Sequence, residues 1–386
     1  MLKILAVFGT RPEAIKMAPL VKELEKYPET IRCRVAVTAQ HREMLDQVLS
    51  LFAIKPAYDL NIMRQGQSLF DITARALSGL QQVLSEERPD LVLVHGDTTT
   101  TFVAALASYY LQIPVGHVEA GLRTCDKFSP FPEEINRRLT GALADINFAP
   151  TTSAKKNLLD EGVSPEKIYV TGNTVIDALL ATVQPDYRFN DDGLDTIDYS
   201  RSRVLLVTTH RRENLGEPMR EIYRALRGVV ERYPDVEVVF PVHKNPAVRR
   251  VVDEELGDLA RVCLIEPMDY QPFVNLINRV YLVLSDSGGI QEEAPSLGKP
   301  VLVLRNTTER PEAVEAGTVR LVGADKDIVS GETRRLLDDK AFYHRMANAV
   351  NPYGDGLASK RIVQAIMCWA GLSDKKPDQF HPGPGG

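Results

Sequence analysis

Acidic, basic and hydroxyl side chains recur in this chain just after apolar runs. Tyr281-Leu282-Val283-Leu284 reads as a buried parallel strand, and Asp286-Ser287-Gly288-Gly289 follows it into a helix. The glycines leave no Cβ to hold a ligand off the backbone, and free N–H groups at a helix start suit an anion. Ser287 adds a hydroxyl donor. Glu293 lies about one turn further on, where a carboxylate can hold both hydroxyls of a ribose. Pro295 predicts a kink or early end to this helix, and Gly298 its stop. Near the start of the chain Arg11 and Lys16 put positive charge beside a helix N-terminus, where acids are the usual choice, so a bound anion or a solvated surface would account for them. Asp97 follows Leu91-Val92-Leu93-Val94, Glu119 ends Val115-Gly116-His117-Val118, and Glu133 lies in a loop that starts a helix, Ile135 to Leu143. His210 follows the run Arg203–Thr208, and Arg310 follows Val301–Leu304. Carboxylates and a histidine suit proton transfer; cations and helix-start amides suit a nucleotide diphosphate.

Strands must carry these groups. Lys3–Phe8, Arg34–Ala39, Leu91–Val94, Val115–Glu119 and Asn147–Ala149 alternate with helices from about Pro12 to Lys26, Leu69 to Glu87 and Phe102 to Leu111. That alternation predicts a parallel sheet covered on both faces, with ligands at the carboxyl ends of its strands. Thr10 and Glu13 have capping-box spacing. The second half repeats the plan, with strands at Arg203–Thr208, Val236–Val242, Val262–Ile265, Tyr281–Ser285, Val301–Leu304 and Val319–Leu321. Helical sequence then runs from Asp325 to about Val350, and a last helix from Ala358 to Trp369. The class is α/β, with two Rossmann-like parallel-sheet domains expected to face each other across a cleft.

Composition narrows the function. The 386 residues carry 46 Lys and Arg against 52 Asp and Glu, a net charge of −6, which argues against a general nucleic-acid binder. Cys33, Cys125, Cys263 and Cys368 form no CxxC pair and read as reduced thiols of a cytoplasmic protein. No apolar run is long enough for a membrane span, and residues 1–8 read as a first strand, not a signal peptide. GxGxxG, GxxxxGK[ST] and GxSxG are all missing. His117 and Glu119 have no third ligand for a metal; His95 and His117 are expected as hydrogen-bonded structural histidines, and Cys125 as a bystander.

The segments FGTRPEAIKMAPL, HGDTTTT, HVEAGLRT, SPFPEEINRRLT, TGNTVIDAL, THRRENLG, SDSGGIQEEAPSLGKPVLVLRNTTERPEA and NPYGDGLASKRI together resemble the bacterial non-hydrolysing UDP-N-acetylglucosamine 2-epimerases, from residue 8 to 362. The resemblance implies a GT-B-like fold with a nucleotide-sugar cleft. Domain one would span residues 1–170, completed by a helix at about 362–374; domain two would span 171–361, and 375–386 would be a disordered tail. It implies a homodimer that needs no redox cofactor and no metal. The implied reaction expels UDP from UDP-GlcNAc, loses the C2 proton to give 2-acetamidoglucal, and re-adds UDP to give UDP-ManNAc. Asp97, Glu119, Glu133 and His210 match the family's catalytic positions. Arg11, Ser287, Gly288, Gly289, Glu293 and Arg310 match the UDP-binding ones, with Lys16 near the phosphates. Gln40, His41, Arg64, Gln65, Glu134, Arg211 and His243 match a second site where UDP-GlcNAc acts as activator. A hydrolysing epimerase, a GT-B glycosyltransferase and a nucleotide-sugar sensor are the alternatives.

Overall fold

The computed structural model describes residues 1–383 apart from 40, 41, 65, 212 and 213. Gln40, His41 and Gln65, expected at the activator site, lie outside the described residues. The chain divides into two compact units: Met1–Ala181 with Tyr353–His381, and Thr182–Pro352.

The first unit holds seven parallel strands: β1 (Leu2–Phe8), β2 (Ile31–Val37), β3 (Tyr58–Asp59), β4 (Leu91–His95), β5 (Val115–Val118), β6 (Ile146–Ala149) and β7 (Ile168–Val170), in the order β3-β2-β1-β4-β5-β6-β7. The central strands are buried almost throughout, which is why they read as continuous apolar runs. Strand order reverses between β1 and β4, and at such a switch point the strand-end turns splay apart to leave a ligand crevice. Arg11, Asp97 and Glu119 follow β1, β4 and β5, three adjacent strands.

Glu13 holds two of these turns together. Thr10 caps the helix Arg11–Leu24 and Glu13 completes the capping box. One Glu13 oxygen accepts from the Gly9 and Thr10 amides at 3.0 and 2.7 Å; the other accepts from the Thr98 and Thr101 hydroxyls at 2.7 and 3.1 Å. Burial pushes the Glu13 pKa above its ordinary 4.5, against these hydrogen bonds. The folded state therefore binds the proton more tightly, so this contribution to stability is full below about pH 4.5 and is lost as pH rises through the elevated folded value. Gln can keep both sets of contacts, its oxygen on the amides and its nitrogen on the hydroxyls. Glu13→Gln is expected to fold and to flatten this pH slope, whereas Glu13→Ala strands buried donors and is expected to destabilise by about 3 kcal/mol or more. Denaturant midpoints across a pH series check both.

The helices Thr174–Thr182 and Ala358–Trp369 belong to the first unit. Asp177 fastens them, accepting from the Ala358 and Ser359 amides at 3.2 and 2.7 Å. Within the stretch expected to be a disordered tail, Phe380 is buried, and its amide donates to the Val170 carbonyl at 2.8 Å.

The second unit holds β8 (Arg203–Thr208), β9 (Val236–Pro241), β10 (Val262–Ile265), β11 (Leu282–Ser285), β12 (Val301–Val303) and β13 (Val319–Leu321), all parallel, in the order β10-β9-β8-β11-β12-β13. The switch falls between β8 and β11, which lead to His210 and to Ser287. Its core packs the helix Glu217–Arg232 on the sheet through Met219, Ile222, Leu226 and Val229. No helix among the described residues is long and apolar enough to cross a membrane.

Candidate active site

Glu119, directly after β5, has a left-handed backbone, φ +61°, and Gly96 after the neighbouring β4 is left-handed too, φ +68°. A non-glycine residue holds that conformation only where its surroundings over-determine it, and such residues cluster at working sites. The surroundings are specific. Lys16 forms an ion pair with Glu119 Oε2, and Asn173 Nδ2 donates to the same oxygen at 2.7 Å. Lys16, expected near phosphates, is thus engaged by a carboxylate of its own unit. His95 Nε2 lies 3.9 Å from Glu119 Oε2.

His95 and His117 are both buried. Burial drives His95 down to about 3, the charge of Glu119 pulling back and that of Lys16 adding to the fall. Burial likewise takes His117 to about 4. Both are neutral imidazoles at ordinary pH. His117 meets expectation, with Nε2 2.7 Å from the Gly96 carbonyl, which it meets as a donor. His95 does not: neither ring nitrogen has a hydrogen-bond partner among the described residues.

Asp97, after β4, pairs with the Arg137 guanidinium, and its carbonyl accepts from Asn136 Nδ2 at 3.0 Å. Both partners come from the helix Glu133–Leu143. The same Arg137 reaches Glu134 Oε2 at 3.2 Å through its other nitrogen. Glu134 is wholly buried, accepts from the Thr124 and Cys125 amides at 3.1 and 3.3 Å, and lies 3.4 Å from Arg138 Nε. Expected among the activator contacts, it is here an internal brace of the loop before its helix. Glu133 beside it is half-buried, with no partner for its carboxylate among the described residues. Arg11 is half-buried and makes no ion pair among them. Arg64 is exposed. Cys125 is exposed.

In the second unit Asp286 is the organising group. It is fully buried, yet its oxygens receive the His210 amide at 2.9 Å, the Arg211 amide at 2.9 Å and Asn214 Nδ2 at 3.2 Å. His210 Nδ1 lies 2.9 Å from Asp286 Oδ1. Burial alone would raise the Asp286 pKa, but the bonds from His210 and Arg211 hold it below its ordinary value. The carboxylate fixes Nδ1–H inward and leaves Nε2 of the half-exposed ring for other work. The His243 ring stacks 6.5 Å from that of His210, centroid to centroid. Arg211 follows, 3.9 Å from Glu309.

The Ser287-Gly288-Gly289 turn is braced from behind. Ser285 Oγ, 2.7 Å from Thr208 Oγ1, accepts the Ser287 amide at 2.9 Å, and Gln291 Nε2 donates to the Ser287 carbonyl at 3.1 Å. Neither glycine is forced by the protein. Gly289 has an ordinary φ of −64°, a Cβ on it would meet nothing within 4 Å, and one on Gly288 would meet only Glu309 at 3.6 Å. The helix Ile290–Ser296 is short and ends directly after Pro295, the expected early stop. Glu293 within it is nearly buried, and its charge adds to the burial that pushes Tyr270 up. Arg310 pairs with buried Glu292.

Four residues that organise these groups escape a reading of strand-end residues: Asn173, Arg137, Asp286 and Glu292. Arg137 had a signal, three residues after Glu134 on a predicted helix. Asp286 stood at the head of the Ser-Gly-Gly turn. Asn173 had none, since 54 residues separate it from Glu119. Among the described residues no three His, Cys, Asp or Glu side chains gather as a metal site.

Residues 22–367 match the family described as UDP-N-acetylglucosamine 2-epimerase. A Bacillus subtilis protein of that name is 56% identical over 379 residues, 98% of each chain. The fold matches S. aureus MnaA, solved with UDP, at TM-score 0.89 and 52% identity, covering 99% of this chain and all of that one. It matches the Neisseria meningitidis UDP-GlcNAc 2-epimerase, solved with UDP-GlcNAc, at TM-score 0.85 and 53% identity, over 95% of this chain and 100% of the other. The chain belongs to the UDP-N-acetylglucosamine 2-epimerase family.

Proposed function

We propose that this protein inverts C2 of UDP-GlcNAc reversibly to give UDP-ManNAc, without hydrolysis, by eliminating and re-adding UDP. The observation that carries the reading is the pair of carboxylates at neighbouring strand ends, Asp97 held by Arg137 and Glu119 by Lys16 and Asn173. Binding a nucleotide sugar does not require them; moving a proton does. The C1–O bond breaks with its electron pair leaving on the UDP β-phosphate. Oxocarbenium character at C1 makes C2–H acidic, a carboxylate takes that proton, and its electrons form the C1=C2 bond of 2-acetamidoglucal. Re-addition reverses both events, with the proton delivered to the opposite face. Asp97 and Glu119 move protons, and Glu133 is a further proton-transfer group. His210, held by Asp286, helps neutralise the departing diphosphate. Arg11, Ser287, Gly288, Gly289, Glu293 and Arg310 hold UDP. The route consumes no oxidant and needs no metal, and its product suits cell-surface polysaccharide synthesis by a homodimeric enzyme. A second, activating UDP-GlcNAc site at Arg64, Arg211 and His243 is part of the proposal. The stacking of His243 on His210 within the second unit supports its lying beside His210.

Proton NMR of UDP-GlcNAc with the enzyme in deuterated water tests the reading. Growth of UDP-ManNAc to a stable mixture, with deuterium at C2 of both sugars, is the expected result. Free ManNAc and UDP would place the protein with hydrolysing epimerases, and an unchanged substrate would remove the catalytic reading. The glycine turn gives a separate check by calorimetry. Gly289→Ala is expected to fold with wild-type stability, because a Cβ there meets no protein atom within 4 Å, yet to lower UDP affinity about tenfold, or about 1.4 kcal/mol.

A further inference from the structure

Asn173 reaches Glu119 from the far end of the sheet. It follows β7 at Gly172, and it is 3% exposed. Each half of its side-chain amide is engaged. Nδ2 donates to Glu119 Oε2 at 2.7 Å, and Oδ1 accepts from the Val175 amide at 3.1 Å, capping the helix Thr174–Thr182. Its backbone N–H donates to the Tyr353 carbonyl at 2.6 Å, where the chain re-enters the first unit. The two chain segments are close-packed there: a Cβ on Gly172 would lie 3.4 Å from Gly354 Cα. A cap alone would be served equally by Ser, Thr or Asp. Only an amide offers a donor to the carboxylate and an acceptor to the helix start together.

We propose that Asn173 is a positioning residue for the Glu119 carboxylate and ties it to the crossover at Tyr353. The inference rests on the reading of Glu119 as a proton-transfer group. Among the described residues, charged and titratable groups facing that carboxylate include Lys16 from the helix Arg11–Leu24 and His95 from β4, with His117 on the strand that Glu119 follows. Lys16 supplies charge on a flexible stem, whereas Asn173, clamped at three atoms, supplies direction. Holding a reacting carboxylate to within a fraction of an ångström is the kind of contribution whose loss lowers turnover without loosening substrate.

Asn173→Asp separates the two roles. It keeps the size and the capping oxygen, and it puts a second carboxylate oxygen where the donor was. Asn173→Ser keeps a capping hydroxyl that is too short to reach Glu119. Each variant is compared with wild type for kcat, KM, UDP affinity, thermal midpoint and pH–rate profile. Both are expected to lose about 10- to 100-fold in kcat, the scale on which outer-shell partners that orient metal ligands act, with KM and UDP affinity within about threefold. The Asn173→Asp deficit is expected to shrink toward acid pH, where a proton shared by the two acids restores a donor to Glu119, and the Asn173→Ser deficit to stay constant. Turnover within twofold of wild type at every pH in both folded variants would overturn the proposal, as would a loss that tracks only a lowered thermal midpoint. Should Asn173→Asp fail to fold, Asn173→Ser carries the test alone through the KM-against-kcat split. A wild type inert toward C2–H exchange would instead bring down the reading of Glu119, and this inference with it.

Discussion

Asp97→Asn is expected to lower epimerisation about 10³-fold, within the range that a positioned acid or base contributes, while leaving UDP binding within about threefold. Asn has the size of Asp, and its oxygen can still accept from Arg137, so the turn after β4 keeps its shape. The backbone contact from Asn136 to the residue 97 carbonyl does not involve the side chain at all. What the variant loses is the ability to take up or deliver a proton. Solvent deuterium should therefore vanish from C2 of recovered UDP-GlcNAc together with turnover, since both need the same transfer. Retained deuterium exchange with lost epimerisation would assign Asp97 to one face only, leaving the other face to Glu119 or Glu133. Turnover within tenfold of wild type would remove Asp97 from the chemistry.

Asp286→Asn is expected to cost about 10²- to 10³-fold in turnover through a residue it never lets go of. The buried carboxylate holds His210 by the backbone amide and by Nδ1. An amide there can keep accepting from the His210 and Arg211 amides through its oxygen, but then its nitrogen donors face the His210 ring. Nδ1 must become the acceptor and Nε2 the carrier of the proton, the wrong tautomer, and a cationic ring loses its counter-charge. Strong non-additivity is expected: once His210 is replaced by Asn, the further change at Asp286 should cost little more. A four-member kinetic cycle reads this directly. Additive losses would mean that Asp286 acts by another route, for example by shaping the Arg211 backbone.

Much of this was visible in the sequence, for a physical reason. A parallel sheet buried on both faces writes each strand as an unbroken apolar run, so LKILAVF, LVLV and RVLLVT announce their strands, and the first polar residue after each run marks the ligand-binding edge. Tyr58–Asp59 was not legible, because a two-residue edge strand carries no such run. The helices expected from Asp325 to about Val350 are two, Lys326–Asp338 and Lys340–Ala347. Asp339 ends one and caps the next, accepting the Phe342 amide at 2.8 Å. Phe380 shows the limit of composition: one aromatic among prolines, glycines and charges is enough to seat the tail against β7.

At the site, residue type and strand-end position located the acids and the Ser-Gly-Gly turn, but not what holds them. Partners such as Asn173 for Glu119 and Arg137 for Asp97 depend on which helix crosses which strand end, which no local pattern encodes. Glu134 shows the converse. Its chemistry suits ligand contact, yet four donors of its own unit surround it, and only coordinates reveal that.

The account's central claim is that the C1–O bond to UDP breaks during inversion at C2. Positional isotope exchange tests it most directly. UDP-GlcNAc carrying ¹⁸O in the bridge between C1 and the β-phosphorus is incubated with the enzyme and followed by ³¹P NMR. The account predicts that the label scrambles into the non-bridging β-phosphate positions as UDP-ManNAc forms, because released UDP can rotate before it re-adds. Inversion at C2 with the label held wholly in the bridge would contradict it.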